Sequence, residues 1–185
     1  MHSRQKIVKV DIDGVIRDIM STIRALYYQA TGVFLEDDDI TRYDVNDVFV
    51  KIPDARNFFF DGKNAETVFK ESIPFPGARM ALRELSDAGF KIVLVTWQIG
   101  TRNKTYTLDW LDKWKIPYDD ICFTRDKYMI DGNYLIDDNP EFLSDERDKS
   151  SKIMIERPYN KEWKSTIFRA QCLRSAVSAI INGDV

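Results

Sequence analysis

Apolar residues in this chain follow two rhythms. Short β-branched or apolar runs read as strands: Ile7-Val8-Lys9-Val10-Asp11-Ile12-Asp13, Lys91-Ile92-Val93-Leu94-Val95-Thr96, Ile121-Cys122-Phe123, Tyr134-Leu135-Ile136 and Lys152-Ile153-Met154-Ile155. Between them apolar positions recur at helical spacing. Ile19, Met20, Ile23, Leu26 and Tyr27 predict a helix from roughly Asp18 to Thr31, stopped by Gly32, and Ala78, Met80, Ala81, Leu82 and Leu85 predict another, closed by Gly89. Tyr106, Trp110, Leu111 and Trp114 mark a third, and Trp163, Ile167, Leu173, Val177 and Ile180 predict a closing helix over about 161 to 181.

Strands alternating with helices predict an α/β fold: a doubly wound, Rossmann-like parallel sheet with helices on both faces. Residues 33 to 73 break the alternation, with an acidic run at Glu36-Asp37-Asp38-Asp39 and aromatic clusters at Phe49 and Phe58-Phe59-Phe60. They are expected to form a small, mainly helical cap inserted after strand 1, leaving 1–32 and 74–185 as the catalytic core.

In doubly wound sheets ligands bind beyond the carboxyl ends of the strands, so the polar residues at those ends are the candidates. They are Asp11 and Asp13 after strand 1, Thr96 after strand 2, Arg125 and Lys127 after strand 3, and Asp137 and Asp138 after strand 4. Two carboxylates one residue apart on an extended chain point the same way, and such a pair needs a neutralising partner. With Asp137 and Asp138 they make an oxygen-only set suited to a hard cation such as Mg²⁺. A lysine and a hydroxyl beside that cation would trap a phosphoryl group, and a carboxylate can serve as nucleophile in its transfer.

Composition narrows the partners. Net charge is −3, with no basic block to grip a phosphate backbone, which argues against duplex nucleic acid. No apolar run reaches the roughly eighteen residues of a membrane span, and the N-terminal apolar run is broken at once by Asp11 and Asp13, unlike a signal peptide, so a cytoplasmic address is expected. Cys122 and Cys172 lack CxxC spacing and are expected to be buried free thiols, in a strand and a helix. The single histidine, His2, stands almost at the chain end, a poor place for a triad or a zinc site. Chemistry is left to carboxylates, lysines and hydroxyls.

The segment Asp11-Ile12-Asp13-Gly14-Val15 resembles the first signature of the haloacid dehalogenase-like phosphatases. Thr96 is similar to their second, Lys127 to their phosphate lysine, and Leu135-Ile136-Asp137-Asp138 to their acidic fourth. Within that superfamily, Thr124-Arg125-Asp126-Lys127, the following Asp137-Asp138 pair and Arg157-Pro158-Tyr159-Asn160 resemble the 5'(3')-deoxyribonucleotidase family. The likeness runs from about Lys6 to Asn160, with the cap matching only in position and size.

The resemblance implies a Mg²⁺-dependent hydrolysis of a small phosphate ester, a (deoxy)ribonucleoside monophosphate, in two steps. Asp11 would attack phosphorus, while Asp13 would protonate the leaving oxygen and then deprotonate water. Metal ligands would be Asp11, the Asp13 carbonyl and Asp138, with Asp137 in support. Thr96 and Lys127 would hold phosphoryl oxygens, Arg125 and Trp97 standing beside them. Two departures are visible: Trp97 and Gln98 follow Thr96 where the family usually has a small residue, and the family's base-stacking aromatic falls near Ile19. Base recognition is therefore expected from cap residues such as Tyr43, Phe49 and Phe58 to Phe60, with Tyr43, Phe49 and Phe59 as candidate substrate contacts.

Alternatives stay open at several positions. Lys104 competes with Lys127 as the phosphate lysine, and Arg125 either contacts phosphate or pairs with Asp126 or Asp131. The Phe58 to Phe60 run is more often cap core than base shelf, and Glu36 to Asp39 lacks the ligand pattern of an EF-hand and reads as a solvated edge. A sugar phosphatase, an enzyme of polynucleotide ends and a non-catalytic phosphoacceptor are the rival functions. The last has no use for an acid at Asp13, and strand 3 carries no acceptor aspartate at its end.

Overall fold

The computed structural model describes residues 5–185, and His2 lies outside the described residues. Six strands form one parallel sheet: β1 (Ile7–Val10), β4 (Lys91–Thr96), β5 (Asp120–Phe123), β6 (Tyr134–Asp137), β7 (Ser151–Ile155) and β8 (Phe168–Ala170), in the order β5-β4-β1-β6-β7-β8. The chain builds outward from β1 through β4 and β5, then returns to its other side for β6, β7 and β8. That reversal places the topological switch, and with it the crevice, at the carboxyl ends of β1 and β6.

Strand alternation sorts the two faces. Val8, Val10, Ile92, Leu94, Ile136, Ile153 and Ile155 point to one side, where Leu82 and Leu85 of α5 (Ala78–Asp87), Trp110 of α6 (Thr101–Trp114) and Val177 and Ile180 of α8 (Leu173–Asn182) complete the main core. Val93, Val95, Leu135 and Met154 face the other side, over Leu143 of the short α7 (Pro140–Leu143). Lys9 shares that second face and is fully buried, its Nζ 2.5 Å from Asp148 Oδ2 and 3.2 Å from the Lys127 carbonyl oxygen. Burial would push the Asp148 carboxyl up, but the Lys9 ammonium and Ser150 outweigh it and hold it below its ordinary range.

A separate apolar cluster lies between β2 (Arg17–Asp18) and β3 (Ile73–Pro74), which pair antiparallel as a two-residue ribbon. Here α2 (Val45–Val48), α3 (Ala55–Phe60) and α4 (Asn64–Glu66), with a π turn over Thr67–Glu71, enclose Phe49, Phe59, Val68 and Phe69. The helix α1 (Ile19–Thr31), capped by Asp18 through the Ser21 amide and stopped by left-handed Gly32, turns Ile23 and Tyr27 into this same cluster.

Two expectations fail. Residues 161 to 172 are not helical: the closing helix begins at Leu173, and Phe168–Ala170 pair instead with Ile153–Ile155 as the sheet's edge strand. Trp163 and Ile167 pack on the Leu143 face, so their spacing mimicked a helix that three residues of strand cannot contradict in sequence. Cys172 is exposed at the α8 N-cap rather than buried, and Cys122 is partly buried in β5.

Candidate active site

The loop after β1 is a tight turn. The Ile12 carbonyl accepts from the amides of Ile16 and Arg17, both at 2.8 Å, which folds Asp11 and Asp13 back over the strand ends. The Asp11 amide still donates to the Ile136 carbonyl at 3.0 Å, fixing Asp11 beside the end of β6, where Asp137 stands. Gly14 has φ of 84°, and a Cβ there would lie 2.2 Å from Asp138 Oδ2. Glycine is what lets this loop approach the β6 carboxylates.

The ammonium of Lys127 lies 2.7 Å from Asp11 Oδ1 and 2.7 Å from Asp137 Oδ2, with all three side chains buried. Asp137 also accepts from the Asn139 amide at 2.9 Å. Asp138 accepts from the Tyr159 hydroxyl, and its backbone carbonyl accepts from Asn160 Nδ2 at 2.8 Å. Asp13 accepts from Arg17 Nε at 2.7 Å and from Gln98 Nε2 at 3.2 Å. Arg17 is fully buried, with its guanidinium over Trp110 and Phe69 and its remaining donors on Thr107 Oγ1 and the Phe69 carbonyl. One arginine thus ties Asp13 to both the core helix α6 and the cap.

Above these groups opens a cleft of about 550 Å³, walled by the core and the cap. Thr96 ends β4 with its side chain buried, and Trp97 and Gln98 continue onto the cleft wall. Arg125 also lines the cleft, but it pairs with Glu141 at 2.5 Å and stacks over Trp97, rather than pairing with Asp126 or Asp131. Lys104 lies over the Phe123 ring, and the ammonium that meets the carboxylates is that of Lys127. Tyr43 faces the cleft, edge-on to Tyr159. Phe49 and Phe59 do not: both are fully buried, packed edge to face 5.1 Å apart in the cap core, and this corrects their expected contact with substrate. The cap needs these rings to hold itself together, because its helices are too short to stand alone.

The model of the family described as 5' nucleotidase, deoxy (pyrimidine), cytosolic type C protein matches residues 5–183. The chain belongs to this family. It is also similar to a Chlorobaculum tepidum protein named "Putative 5'(3')-deoxyribonucleotidase", 37% identical over 79 residues, an alignment that covers 40% of this chain and 39% of that protein. Among solved structures, the L-2-haloacid dehalogenase of Xanthobacter autotrophicus, with chloropropionic acid covalently bound, superposes with a TM-score of 0.60 at 10% identity, covering 96% of this chain and 98% of its own. A haloacid dehalogenase-type hydrolase of Bacillus subtilis, bound to magnesium, gives 0.56 at 13% identity, covering 97% and 100%. At these identities the likeness shows the fold: a haloacid dehalogenase-like α/β sheet.

The electrostatics of this member of the nucleotidase family leave negative charge in surplus. Asp11, Asp137 and Asp138 each place a carboxylate oxygen within 4.8 Å of the others, and the ammonium among them is that of Lys127. Burial, with Asp137 beside it, pushes the Asp138 carboxyl up to about 7. Burial also raises Asp11 well above the carboxylate range; Lys127 pulls it back, while Asp137, Asp138 and Asp13 add to the rise. Burial alone would lower Lys127, yet Asp11 and Asp137 hold its ammonium above the ordinary lysine range, so it stays charged. A buried, oxygen-only set with uncompensated charge fits a hard divalent cation.

The sequence does not announce Arg17 as a site residue, and it marks Gln98 only as a departure from the family pattern and Tyr159 only as part of a motif. Arg17 had a signal, a cation four residues after Asp13 that directly follows the apolar pair Val15-Ile16. For Gln98 and Tyr159, partners distant in sequence decide the role, and no local pattern announces them.

Proposed function

We propose that this chain is a Mg²⁺-dependent phosphomonoesterase that hydrolyses nucleoside monophosphates to nucleoside and phosphate, in the cytoplasm. The observation that carries the reading is the buried meeting of Lys127 with Asp11 and Asp137, next to Asp13 and Asp138, which line the cleft. Support for the substrate class and for a cytosolic setting comes from the family's description and the Chlorobaculum relative's name. Membership of a family named for one reaction raises that reaction above others the fold can host. No helix among the described residues is long and apolar enough to cross a membrane.

In this mechanism Lys127 and the Thr96 hydroxyl bind and orient the phosphoryl oxygens, with Lys127 kept charged by its two carboxylates. An Asp11 oxygen attacks phosphorus in line as the ester P–O bond breaks, giving an aspartyl-phosphate and a free sugar hydroxyl. Asp13 supplies the proton that the sugar oxygen takes, then removes one from the water that attacks the aspartyl-phosphate, restoring the Asp11 carboxylate and releasing phosphate. Mg²⁺, held by Asp11, the Asp13 carbonyl and Asp138, would supply positive charge to the transferring oxygens and let the carboxylates ionise together. Asp137 positions Lys127 and the Asn139 amide. Residues 33–73, with α1 packed upon them, act as the cap that excludes water and bounds the substrate.

The test is phosphate release from a panel of deoxyribonucleoside and ribonucleoside monophosphates and sugar phosphates, with Mg²⁺ and with chelator. Metal-dependent release favouring nucleotides is expected. Preference for sugar phosphates would overturn the substrate assignment, and release from no ester would overturn the reading as a whole.

A further inference from the structure

Ile19 and Trp97 both line the cleft, and of the two only Trp97 carries a ring. Tyr43 is open to the cleft as well, but from the loop that precedes α2, and most other aromatic side chains around the cleft are committed elsewhere. Phe60 packs against Phe59 and Phe69 in the cap, while Tyr159 is bound to Asp138 and meets the edge of Tyr43. Trp97 is different. It directly follows Thr96, the last residue of β4, and it keeps 38% of its surface exposed although it is among the largest apolar side chains in the chain. Such a ring left open on a cleft wall, rather than folded into the adjoining core, is poised for a ligand.

One face of the ring also has a partner. The Arg125 guanidinium lies 5.1 Å over the ring, and Glu141 holds Arg125 in turn at 2.5 Å. This stack supports the indole from one side, so that stacking a planar ligand group on it would sacrifice less side-chain freedom than on an unsupported ring. Adjacency to Thr96 sets the reach: a phosphoryl group at Thr96 and Lys127 leaves the rest of a small ester lying along the wall that Trp97 begins. We infer that Trp97, buttressed by Arg125 and Glu141, is the platform on which the nucleobase of the substrate stacks. This inference rests on the nucleotidase reading and deepens it. It also moves base recognition from the cap, where Phe49 and Phe59 are sealed in, to the catalytic core, and it gives Trp97 a role apart from phosphate binding.

The experiment compares kcat/KM for thymidine 5'-monophosphate with that for 2-deoxyribose 5-phosphate, which lacks the base, in the unaltered protein, Trp97→Ala and Trp97→Phe. The expected result is a fall of about tenfold in the nucleotide-to-sugar ratio for Trp97→Ala, carried by KM, with most of it restored in Trp97→Phe, as loss of one base–aromatic stack predicts. A matching signature is quenching of tryptophan fluorescence by the nucleotide that disappears in Trp97→Phe. If Trp97→Ala leaves the ratio unchanged while the unaltered protein hydrolyses nucleotides, the platform is overturned and the nucleotidase reading stands. If the unaltered protein releases phosphate from no ester, that reading falls and takes the platform with it.

Discussion

The ends of β1 and β6 and the cap face each other across one cleft, but they are held by different forces. At the strand ends the geometry is set by backbone pairing. The Asp11 amide is tied to Ile136, a turn is closed on the Ile12 carbonyl, and three carboxylates crowd together with one lysine bridging two of them. Ile12, Val15 and Ile16 anchor the turn in the main core, and the cost of crowding like charges is borne by the sheet beneath. The cap inverts this arrangement. Its helices run from three to six residues apart from α1, too short to persist alone, and it exists because Phe49, Phe59, Tyr27 and Phe69 bury one another. One region keeps chemistry at the expense of local stability, and the other keeps shape with little chemistry of its own.

The sharpest way to break that contrast is to remove chemistry from the first region. Asp11→Asn is expected to abolish phosphate release while leaving the circular dichroism spectrum and the thermal midpoint undiminished, because a buried carboxyl raised above its normal range is no source of stability at neutral pH. A collapse of the fold would show that Asp11 is structural. Asp13→Asn should reduce turnover of nucleotides by about 10² to 10⁴-fold, the usual span for a general acid and base, and should slow an activated aryl phosphate less. Equal losses on both esters would contradict its assigned proton transfer.

In the second region Phe49→Ala should destabilise the cap by about 3 to 5 kcal/mol. Hydrogen exchange would report this as faster amides over residues 45 to 71, with β1, β4 and β6 protected as before. Uniform loss of protection would mean that cap and sheet unfold as one unit. The smallest effect expected is on thermal stability. Asp138, raised to about 7 from 3.8, makes the metal-free native state bind more protons than the unfolded chain between those values. Its penalty is absent below that window and complete above it, so the metal-free midpoint should rise as pH falls from about 8 to about 5. Added Mg²⁺ should therefore raise the midpoint by a few degrees near pH 8 and by less near pH 5. A shift independent of pH would place the cation elsewhere.

The same contrast explains what was legible in the sequence. Strands β1, β4, β6 and β7 and helices α1, α5 and α6 carry their own periodicity, and the acidic residues follow the strands immediately, so position along the chain predicts position in space. Strand β8 has only Phe168–Ala170 to declare itself, and its neighbours Trp163 and Ile167 happen to fall at helical spacing. In the cap, a run of three phenylalanines cannot say which ring faces inward. Phe59 is sealed while Phe60 reaches the cleft, a choice made by the turn that α3 completes. The Arg17 and Gln98 clamp on Asp13 depends on Thr107, 90 residues beyond Arg17, and such a contact leaves no local trace.

Acid quenching during turnover decides whether the strand-end carboxylates act by covalent phosphoryl transfer through Asp11. Protein turning over thymidine monophosphate labelled in its phosphoryl group, with Mg²⁺, is quenched in acid and the label is mapped by peptide mass spectrometry, using Asp13→Asn to slow the hydrolysis step. Label is expected on the peptide that contains Asp11, released by mild base and absent with chelator. Turnover of the same ester with no label on that peptide, or label on another residue, would contradict it.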